Sequence, residues 1–309
     1  MSASSVPEVT ICIVSLNCRA VLQDCLESLR RCPDYRSWEV ILVDNASTDG
    51  TADPVSRGFP EVRVICNDEN VGFTKATNQG FRLARGRYLL WLNPDTRVLP
   101  DSIPRLIDFF EKTPRAGIVG PKVVNPDGSF QHQCRRGMPT PAASLFHILR
   151  FDRLWPTSRI FGGYLLTYEP IEQSMPVVSV SGCCLLARRE VWNQIGSLDE
   201  NMFGFGEDID WCMRAAAAGW EVWYQPRSVI VHLKGHGGAH ARPFRKIRGM
   251  HQCMWLIYRK HFSSQSGWPT TALVASGISA SLAISLVTAS VRQAVRRLVV
   301  LGRDRRDSP

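Results

Sequence analysis

The chain has 309 residues and a formal net charge of +9 at pH 7, a length that allows one large α/β domain or two smaller ones. Residues 234–309 hold thirteen Lys or Arg against two Asp or Glu, whereas residues 1–233 hold 24 against 26. This distribution argues against a nucleic-acid surface on the main domain and favours contact between the tail and an anionic membrane.

Ten cysteines are present, but no Cys-x-x-Cys pair occurs among them. We interpret them as reduced and mostly buried thiols of a cytoplasmic protein. Residues 1–9 contain neither a basic segment nor an apolar core, so we expect no signal peptide. The sequence therefore predicts a cytoplasmic protein that associates peripherally with the inner face of the cell membrane.

Short apolar runs alternate with helical patterns through the first half of the chain. We predict strands at residues 9–14, 38–43, 62–65 and 87–92, and helices at 20–31 and 73–85. Residues 121–176 show no clear period; a strand at 177–187, helices at 189–195 and 209–218, and a strand at 229–232 follow. This alternation predicts an α/β fold with a mostly parallel, doubly wound sheet.

Polar side chains follow the predicted strands at the point where each one ends. They are Ser15, Asn17, Asp44, Asn45, Asn67, Asn70, Asn93 and Asp95. In such sheets, ligands bind beyond the carboxyl ends of the strands. The sequence contains no Gly-x-Gly-x-x-Gly, Walker or Gly-x-Ser-x-Gly motif, so dinucleotide enzymes, P-loop enzymes and serine hydrolases lose support.

Two of these positions, together with His232, suggest a nucleotide site with a metal ion, although each also has a structural interpretation. Asp44 can accept the imide N–H of uracil or thymine, or it can close an Asx-turn. Asp95, after Asn93 and Pro94, can hold Mg²⁺ or Mn²⁺ together with substrate phosphates, or it can belong to a simple turn. His232 can add an imidazole to that metal, or it can be a core histidine.

A second acidic pair, Glu207 and Asp208, stands where a glycine-rich loop becomes a helix. A helix amino terminus favours ionised carboxylates, so this pair is a candidate general base. The same pair can instead be a helix cap.

These segments together resemble family 2 glycosyltransferases of the GT-A fold, and most of all bacterial rhamnosyltransferases that build cell-wall polysaccharide. The resemblance spans about residues 8 to 262. Its motifs are Val14-Ser15-Leu16-Asn17, Val43-Asp44-Asn45, Asn70-Val71-Gly72-Phe73, Asn78-Gln79-Gly80, Leu92-Asn93-Pro94-Asp95, Gly182 to Arg188 and Gly206-Glu207-Asp208-Ile209-Asp210-Trp211. Each motif alone is weak, but their order and spacing are specific.

The resemblance implies a sugar-nucleotide donor, expected to be dTDP-rhamnose, and a polyprenyl-diphosphate-linked or polysaccharide acceptor. The implied donor-binding residues are Ser15, Asn17, Asp44, Asn45, Asn70, Gly72, Asn78 and Asn93. Asp95 takes the place of the metal-binding Asp-x-Asp, whose first position is Asn93 here, and His232 can share the ion. Asp208 matches the catalytic base, with Glu207 beside it. The Gln-x-x-Arg-Trp motif of processive members is absent, which predicts one sugar per encounter, transferred with inversion.

The resemblance leaves the donor and some other classes open. UDP-galactofuranose, UDP-N-acetylhexosamine and GDP-mannose are alternative donors. A nucleotidyltransferase also has such a sheet, but it usually carries a glycine-rich loop after the first strand, where this chain has Ser15-Leu16-Asn17-Cys18-Arg19. A non-catalytic membrane scaffold is a third alternative. We predict a donor half at residues 1–120, an acceptor half with the catalytic base at 121–240, and a helical tail at 241–309.

The tail contains residues 261–291, which lack Lys, Arg, Asp and Glu. Residues 242–260 before them and 292–306 after them supply six basic side chains each. A single crossing of the membrane would leave one basic cluster outside, against the positive-inside tendency. We therefore favour an in-plane or hairpin helix over a spanning helix or a soluble packing helix. Arg135 and Arg136 are read as a solvated charge pair, with contact to substrate phosphates as the alternative.

Overall fold

The computed structural model describes residues 6–235 and 243–304, with side chains described for 244–293 in the second range. The chain forms two compact units, Met1–Gly238 and Ala239–Pro309. Residues 1–5, part of the amino-terminal stretch in which we expect no signal peptide, lie outside the described residues. So do Arg242, Arg305 and Arg306, three of the basic residues on either side of the apolar tail segment. The proposed boundary at residue 120 falls inside a strand of the first unit, so the donor and acceptor halves share one sheet.

The described strands and helices follow the predicted order along the chain. The strands are β1 Val9–Ser15, β2 Glu39–Asp44, β3 Arg63–Cys66, β4 Tyr88–Leu92, β5 Thr96–Val98, β6 Ala116–Val124, β7 Arg135–Arg136, β8 Met175–Pro176, β9 Ser179–Val180, β10 Cys184–Arg188 and β11 Glu221–His232. The helices are α1 Arg19–Arg30, α2 Ala52–Gly58, α3 Phe73–Leu83, α4 Ser102–Lys112, α5 Pro141–Ile148, α6 Phe151–Leu154, α7 Arg189–Ile195, α8 Glu207–Ala217, α9 Pro243–His261 and α10 Trp268–Asp304.

The main sheet has the order β3-β2-β1-β4-β10-β6-β11-β5, with β8 pairing with β11. Strands β3, β2, β1 and β4 are parallel neighbours, and β6 is parallel to β11. Strand β10 is antiparallel to both β4 and β6, and β5 and β8 are antiparallel to β11. This mixed, mostly parallel sheet confirms the predicted α/β fold.

Alternation along the strands sends apolar side chains to both faces of the sheet. From β1, Ile11 and Ile13 join a core with Leu22 and Leu26 of α1 and residues of α4. Cys12 and Val14 face the opposite side and join a core with α3 and α8. Helices covering both faces keep the sheet dry, so its carboxyl edge is where polar side chains collect.

The segment at residues 121–176 contains more secondary structure than its sequence indicated. It includes the end of β6, the short strands β7 and β8, and the helices α5 and α6. Helix α5 has no buried residue. The elements of this segment are two to nine residues long, too short for a period to show over a sequence window.

In the second unit, α9 and α10 pack against each other in antiparallel directions. His251 of α9 bonds to Ser281 of α10 (3.0 Å), and Tyr258 bonds to Thr271 (3.1 Å). Residues 268–293 of α10 have a mean hydropathy of 1.9, and this stretch is long and apolar enough to cross a membrane, with none of it buried. A helical hairpin was among the arrangements predicted for the tail.

Candidate active site

Three parallel strands end side by side and bring the first polar cluster together. Ser15 at the end of β1 lies opposite Asp44 at the end of β2, and its hydroxyl donates to Asp44 Oδ1 (3.0 Å). The Ser47 hydroxyl donates to the same oxygen, and the Ser47 N–H donates to Oδ2 over 3.3 Å. Asp44 therefore bonds to the turn that follows it, through the N–H three residues on rather than the N–H two residues on of an Asx-turn, while Oδ2 keeps capacity to accept a further hydrogen bond.

The turn after β1 carries Asn17 in a left-handed conformation, with φ of +50°. Its side-chain oxygen accepts from the backbone N–H of Thr48 (2.7 Å), and its own N–H donates to the Ser47 hydroxyl (2.9 Å). Asn is among the few residues that tolerate this conformation. Asn17 thus ties the β1 turn to the β2 turn and fixes the outline of the cleft beside Asp44.

The amides of Asn45, Asn67 and Asn70 form a continuous network at the ends of β2 and β3. Asn45 donates to Asn70 (3.0 Å), Asn67 donates to Asn45 (3.1 Å), and Asn70 accepts from the N–H of Gly72 (3.0 Å). Gly72 has φ of +91°, and a Cβ there would lie 2.7 Å from the Phe203 ring. Only glycine therefore fits this approach to α3.

Asn78 lies apart from this cluster, although the resemblance assigned it to the donor. It is fully buried in α3, where its amide donates to the Leu198 carbonyl and to Glu200 (3.0 Å each) and accepts from the Leu198 N–H (3.0 Å). All of its hydrogen-bonding groups face the segment at 198–200. In this structure Asn78 holds that segment on α3, and we leave it out of the proposed donor contacts.

Asp95 and His232 form the candidate metal-binding pair. His232 Nε2 lies 3.2 Å from Asp95 Oδ1, and both side chains are largely buried. Burial alone would lower the pKa of His232, but the Cys183 sulfur and the Asp95 carboxylate outweigh it and raise that pKa to about 10. Gln131, also buried, lies 3.2 Å from His232 Nδ1 and orients the ring.

Once His232 gives up its proton, as a ligating imidazole must, the two side chains suit a cation that is completed by phosphate oxygens. A carboxylate and an imidazole stand together, and the described residues hold no group of three or more His, Cys, Asp or Glu that could bind a metal without substrate. Mg²⁺ and Mn²⁺ commonly bind in this way, through one or two protein groups plus substrate phosphates.

The turn at residues 181–183 joins the metal-binding pair to the acidic pair. The Cys183 carbonyl accepts from the N–H of Asn93 (2.9 Å), and the Gly182 N–H donates to Asp208 Oδ2 (3.0 Å). Cys18 lies near the acidic residues of both clusters: burial and the charges of Asp49, Asp95 and Asp44 raise the pKa of its thiol to about 12. The predicted donor, metal and base residues thus converge on one edge of the sheet.

Glu207 and Asp208 open α8, as predicted, and both are buried. Arg136 Nη1 donates to Asp208 Oδ2 (2.9 Å), while Oδ1 accepts from the N–H of Ile209 (2.8 Å). Glu207 Oε2 has no hydrogen-bond partner in the structure. Burial and the charge of Asp208 raise the pKa of Glu207 to about 8. At neutral pH Glu207 is therefore the protonated member of the pair, and Asp208 is the member that bonds to Arg136.

This assignment predicts how Glu207→Gln changes stability with pH. The folded protein keeps a proton on Glu207 that the unfolded chain releases between about pH 4.5 and 8, so raising the pH through this window destabilises the wild type. Glu207→Gln removes that loss, so its free energy of unfolding relative to the wild type should rise from pH 5 to 8 by up to about a few kcal/mol, which thermal midpoints would report. Exposed Glu69→Gln is the control, and an advantage that does not change with pH would contradict the buried, protonated carboxyl.

The prediction of a solvated Arg135–Arg136 pair is wrong. Arg135 is fully buried, with its guanidinium donating to the carbonyls of Pro170 (2.8 Å) and Glu169 (2.7 Å). Arg136 pairs with Asp208 as described. Consecutive residues of a strand point to opposite sides, so one arginine anchors the 166–170 loop while the other reaches the site.

Arg136, Gln131 and Cys183 are contributors that the sequence analysis did not assign to the site. They lie in β7 or in turns, where neither a period nor a motif marks them. Two adjacent arginines in a segment without a clear period were the available signal for Arg136.

The chain belongs to glycosyltransferase family 2: the model described as "Glycosyl transferase family 2" matches residues 10–195. An N-acetylglucosaminyl-diphospho-decaprenol L-rhamnosyltransferase of Mycobacterium tuberculosis is 32% identical over 245 residues, which cover 75% of this chain and 77% of that protein. The protein is thus a glycosyltransferase of the hexosyltransferase class, and the predicted family is confirmed.

Solved structures agree on the GT-A fold. The mannosyltransferase PcManGT of Pyrobaculum calidifontis, in complex with GDP-Man and Mn²⁺, superposes with a TM-score of 0.56 and 17% identity over 97% of this chain and 80% of that one. GalNAc-T7 with UDP, GalNAc and Mn²⁺ superposes with a TM-score of 0.56 and 17% sequence identity, over 73% of this chain and 43% of that one.

Proposed function

We propose that this glycosyltransferase moves L-rhamnose from dTDP-rhamnose onto a hydroxyl of a lipid-linked or polysaccharide acceptor, one sugar per encounter and with inversion, in cell-envelope glycan synthesis. The observation that carries the chemistry is the buried carboxylate of Asp208. It accepts hydrogen bonds from Arg136 and from the Gly182 N–H, and the turn that contains Gly182 also bonds to Asn93. The choice of sugar and acceptor is supported by the mycobacterial relative, whose name states both.

Asp208 is the proposed general base. Its Oδ2 accepts hydrogen bonds from Arg136 and the Gly182 N–H, and its Oδ1 accepts one from the N–H of Ile209. Because a carboxylate oxygen can accept more than one hydrogen bond, Oδ1 can take the proton of an acceptor hydroxyl. That hydroxyl oxygen then bonds to the anomeric carbon while the bond to the diphosphate breaks on the opposite face. A single base suffices for such inversion, and no covalent enzyme intermediate is needed.

The donor half would hold the nucleotide at the ends of β1 and β2. Asp44 Oδ2 is the proposed acceptor for the imide N–H of thymine, next to Ser15 and the Asn45–Asn70 network. Asp95 and His232 would hold Mg²⁺ or Mn²⁺. When bound, that cation supplies Lewis-acid stabilisation of the departing diphosphate. A nucleotidyltransferase would use a similar sheet, but the family membership favours sugar transfer.

We further propose that the enzyme works at the cytoplasmic face of the membrane. The α9–α10 hairpin presents an exposed apolar helix, and basic residues of α9 such as Arg245, Arg248 and Arg259 are exposed. Arginines beside an apolar helix suit anionic head groups. Peripheral binding of this kind would bring the site to a polyprenyl-linked acceptor.

The donor proposal is tested by calorimetric binding of dTDP, UDP and GDP, each with and without Mn²⁺, to wild type and Asp95→Ala. We expect dTDP to bind most tightly with metal, and we expect Asp95→Ala to lose most of the metal-dependent gain, about 10–100-fold. Asp101→Ala, an exposed carboxylate in the same region, is the matched control.

The outcomes separate the alternatives. A preference for UDP or GDP would keep the mechanism and replace the sugar with galactofuranose, an N-acetylhexosamine or mannose. Metal-independent binding that Asp95→Ala leaves unchanged would remove the proposed cation site. Absence of binding by all three diphosphates would contradict the donor site itself.

A further inference from the structure

A cluster of exposed apolar side chains lies on the first unit, within residues 145–160; we call it the 145–160 surface. Its apolar members are Leu145, Ile148, Leu149, Leu154, Trp155 and Ile160. Leu154 and Ile160 are 66% and 68% exposed, and the Trp155 side chain is 51% exposed. Scattered exposed apolar residues are ordinary, but a concentration of them in one short folded segment points to a surface that contacts something apolar.

The surface is organised rather than loose. Leu145, Ile148 and Leu149 follow the i, i+3, i+4 spacing, which places them on one face of α5 and the residue after it. Beneath them, Phe146 stacks on Phe151 (6.0 Å between ring centroids) and meets Phe161 edge-on (5.0 Å). The aromatic layer holds the helical turns together, so the exposed residues are presented outward by a packed support.

The exposed charged side chains of residues 138–168 have one sign. Arg150, Arg153 and Arg159 are exposed, whereas the one acidic side chain of residues 138–168, Asp152, is buried and bonded to His147 Nδ1 (2.6 Å). An apolar face with an indole and a rim of arginines is the composition of a segment that lies in a membrane interface. A protein partner with an apolar patch would not require the uniformly basic rim.

The surface is also tied to the catalytic pair. Arg135 donates to the carbonyls of Glu169 and Pro170, which follow the surface in the chain. The Gly137 N–H donates to the Tyr164 carbonyl (2.9 Å). Arg136, between them, holds Asp208. The stretch of residues 135–137 therefore contacts both the 164–170 residues that follow the surface and the proposed base.

We propose that the 145–160 surface docks the catalytic unit itself onto an anionic bilayer, as a second membrane contact separate from the tail. Leu154, Trp155 and Ile160 enter the interface, and Arg150, Arg153 and Arg159 meet lipid phosphates. The proposal deepens the proposed function, since it would place the base near a lipid-linked hydroxyl, but vesicle binding needs neither donor nor acceptor and tests it separately.

The test uses the full chain with a solvatochromic fluorophore on Leu154→Cys in a Cys66→Ser background, since Cys66 is the exposed cysteine of the ten. Leu99→Cys, an exposed apolar position outside the surface, is the matched control. Vesicles of phosphatidylglycerol with phosphatidylcholine, and of phosphatidylcholine alone, are compared, and co-sedimentation reports binding of the whole chain. A second label at Ile160→Cys guards against local disturbance by the dye, with the far-UV circular dichroism spectrum as the folding check.

We expect a blue shift and quenching by nitroxide lipids at positions 154 and 160, but not at 99, and more strongly with phosphatidylglycerol. Replacing Arg150, Arg153 and Arg159 with Gln should weaken the response at least tenfold, because each arginine contributes to attraction near an anionic surface. A co-sedimenting chain whose labels do not respond would overturn the proposal, as would a chain that does not bind. An equal response on neutral lipid, or a shift caused by protein concentration without lipid, would also overturn it.

Discussion

Asp208→Asn is expected to lower kcat by about 10²–10⁴-fold, because general-base assistance typically contributes that much and an amide cannot accept the proton. The substitution keeps the size of the side chain and its acceptor toward the N–H of Gly182 or Ile209. Affinity for dTDP with Mn²⁺ should therefore stay near that of the wild type. Turnover of a soluble acceptor analogue and calorimetric binding of dTDP measure the two quantities separately.

Glu207→Gln provides the comparison within the same turn of α8. Since burial and the charge of Asp208 raise the pKa of Glu207 to about 8, its carboxyl is already protonated at neutral pH. We expect this variant to lose much less turnover than Asp208→Asn. A larger loss in Glu207→Gln would transfer the role of base to Glu207, and near-normal turnover in both variants would remove the pair from the mechanism.

The parallel half of the fold was predictable because its signals are local. Strand β1 is a continuous apolar run, and Asn17 and Asp44 mark the turns at the carboxyl ends of β1 and β2. Strands that are covered on both faces must be apolar along their whole length, so the sequence shows them directly. The edge at which Ser15, Asp44 and Asp95 gather then follows from the parallel order.

The region after β6 was not predictable for the opposite reason. Helix α5 buries no residue against the core, and β7 is two residues long. Gln131 and Arg136 take their roles from contacts across 101 and 72 residues, with His232 and Asp208. Asn78 shows the converse limit: its place in a matching motif suggested donor contact, whereas in the structure its amide bonds to the 198–200 segment.

Arg136→Met should lower kcat/KM by about tenfold to a hundredfold and leave dTDP affinity unchanged. Arg136 lowers the pKa of Glu207 through its charge and pairs with the Asp208 carboxylate, so without it the acidic pair holds a proton to higher pH. Because the base must be ionised, the low-pH limb of the kcat/KM profile should move to higher pH. Arg136→Lys keeps the charge and should restore part of both effects.

Loss of Arg136 should also destabilise the fold, because a buried carboxylate left without its partner costs about 3–5 kcal/mol. The matched control is Arg82→Met, which breaks the exposed pair with Glu200, an interaction of roughly 0–1 kcal/mol. Thermal midpoints measured from pH 5 to 8 should show the Arg136→Met deficit shrinking toward acid pH, where the carboxylates are protonated. The proposal would be contradicted if Arg136→Met left the pH profile of kcat/KM unshifted and lost the same stability at every pH. Arg136 would then be a packing residue, and Asp208 would act as base without its help.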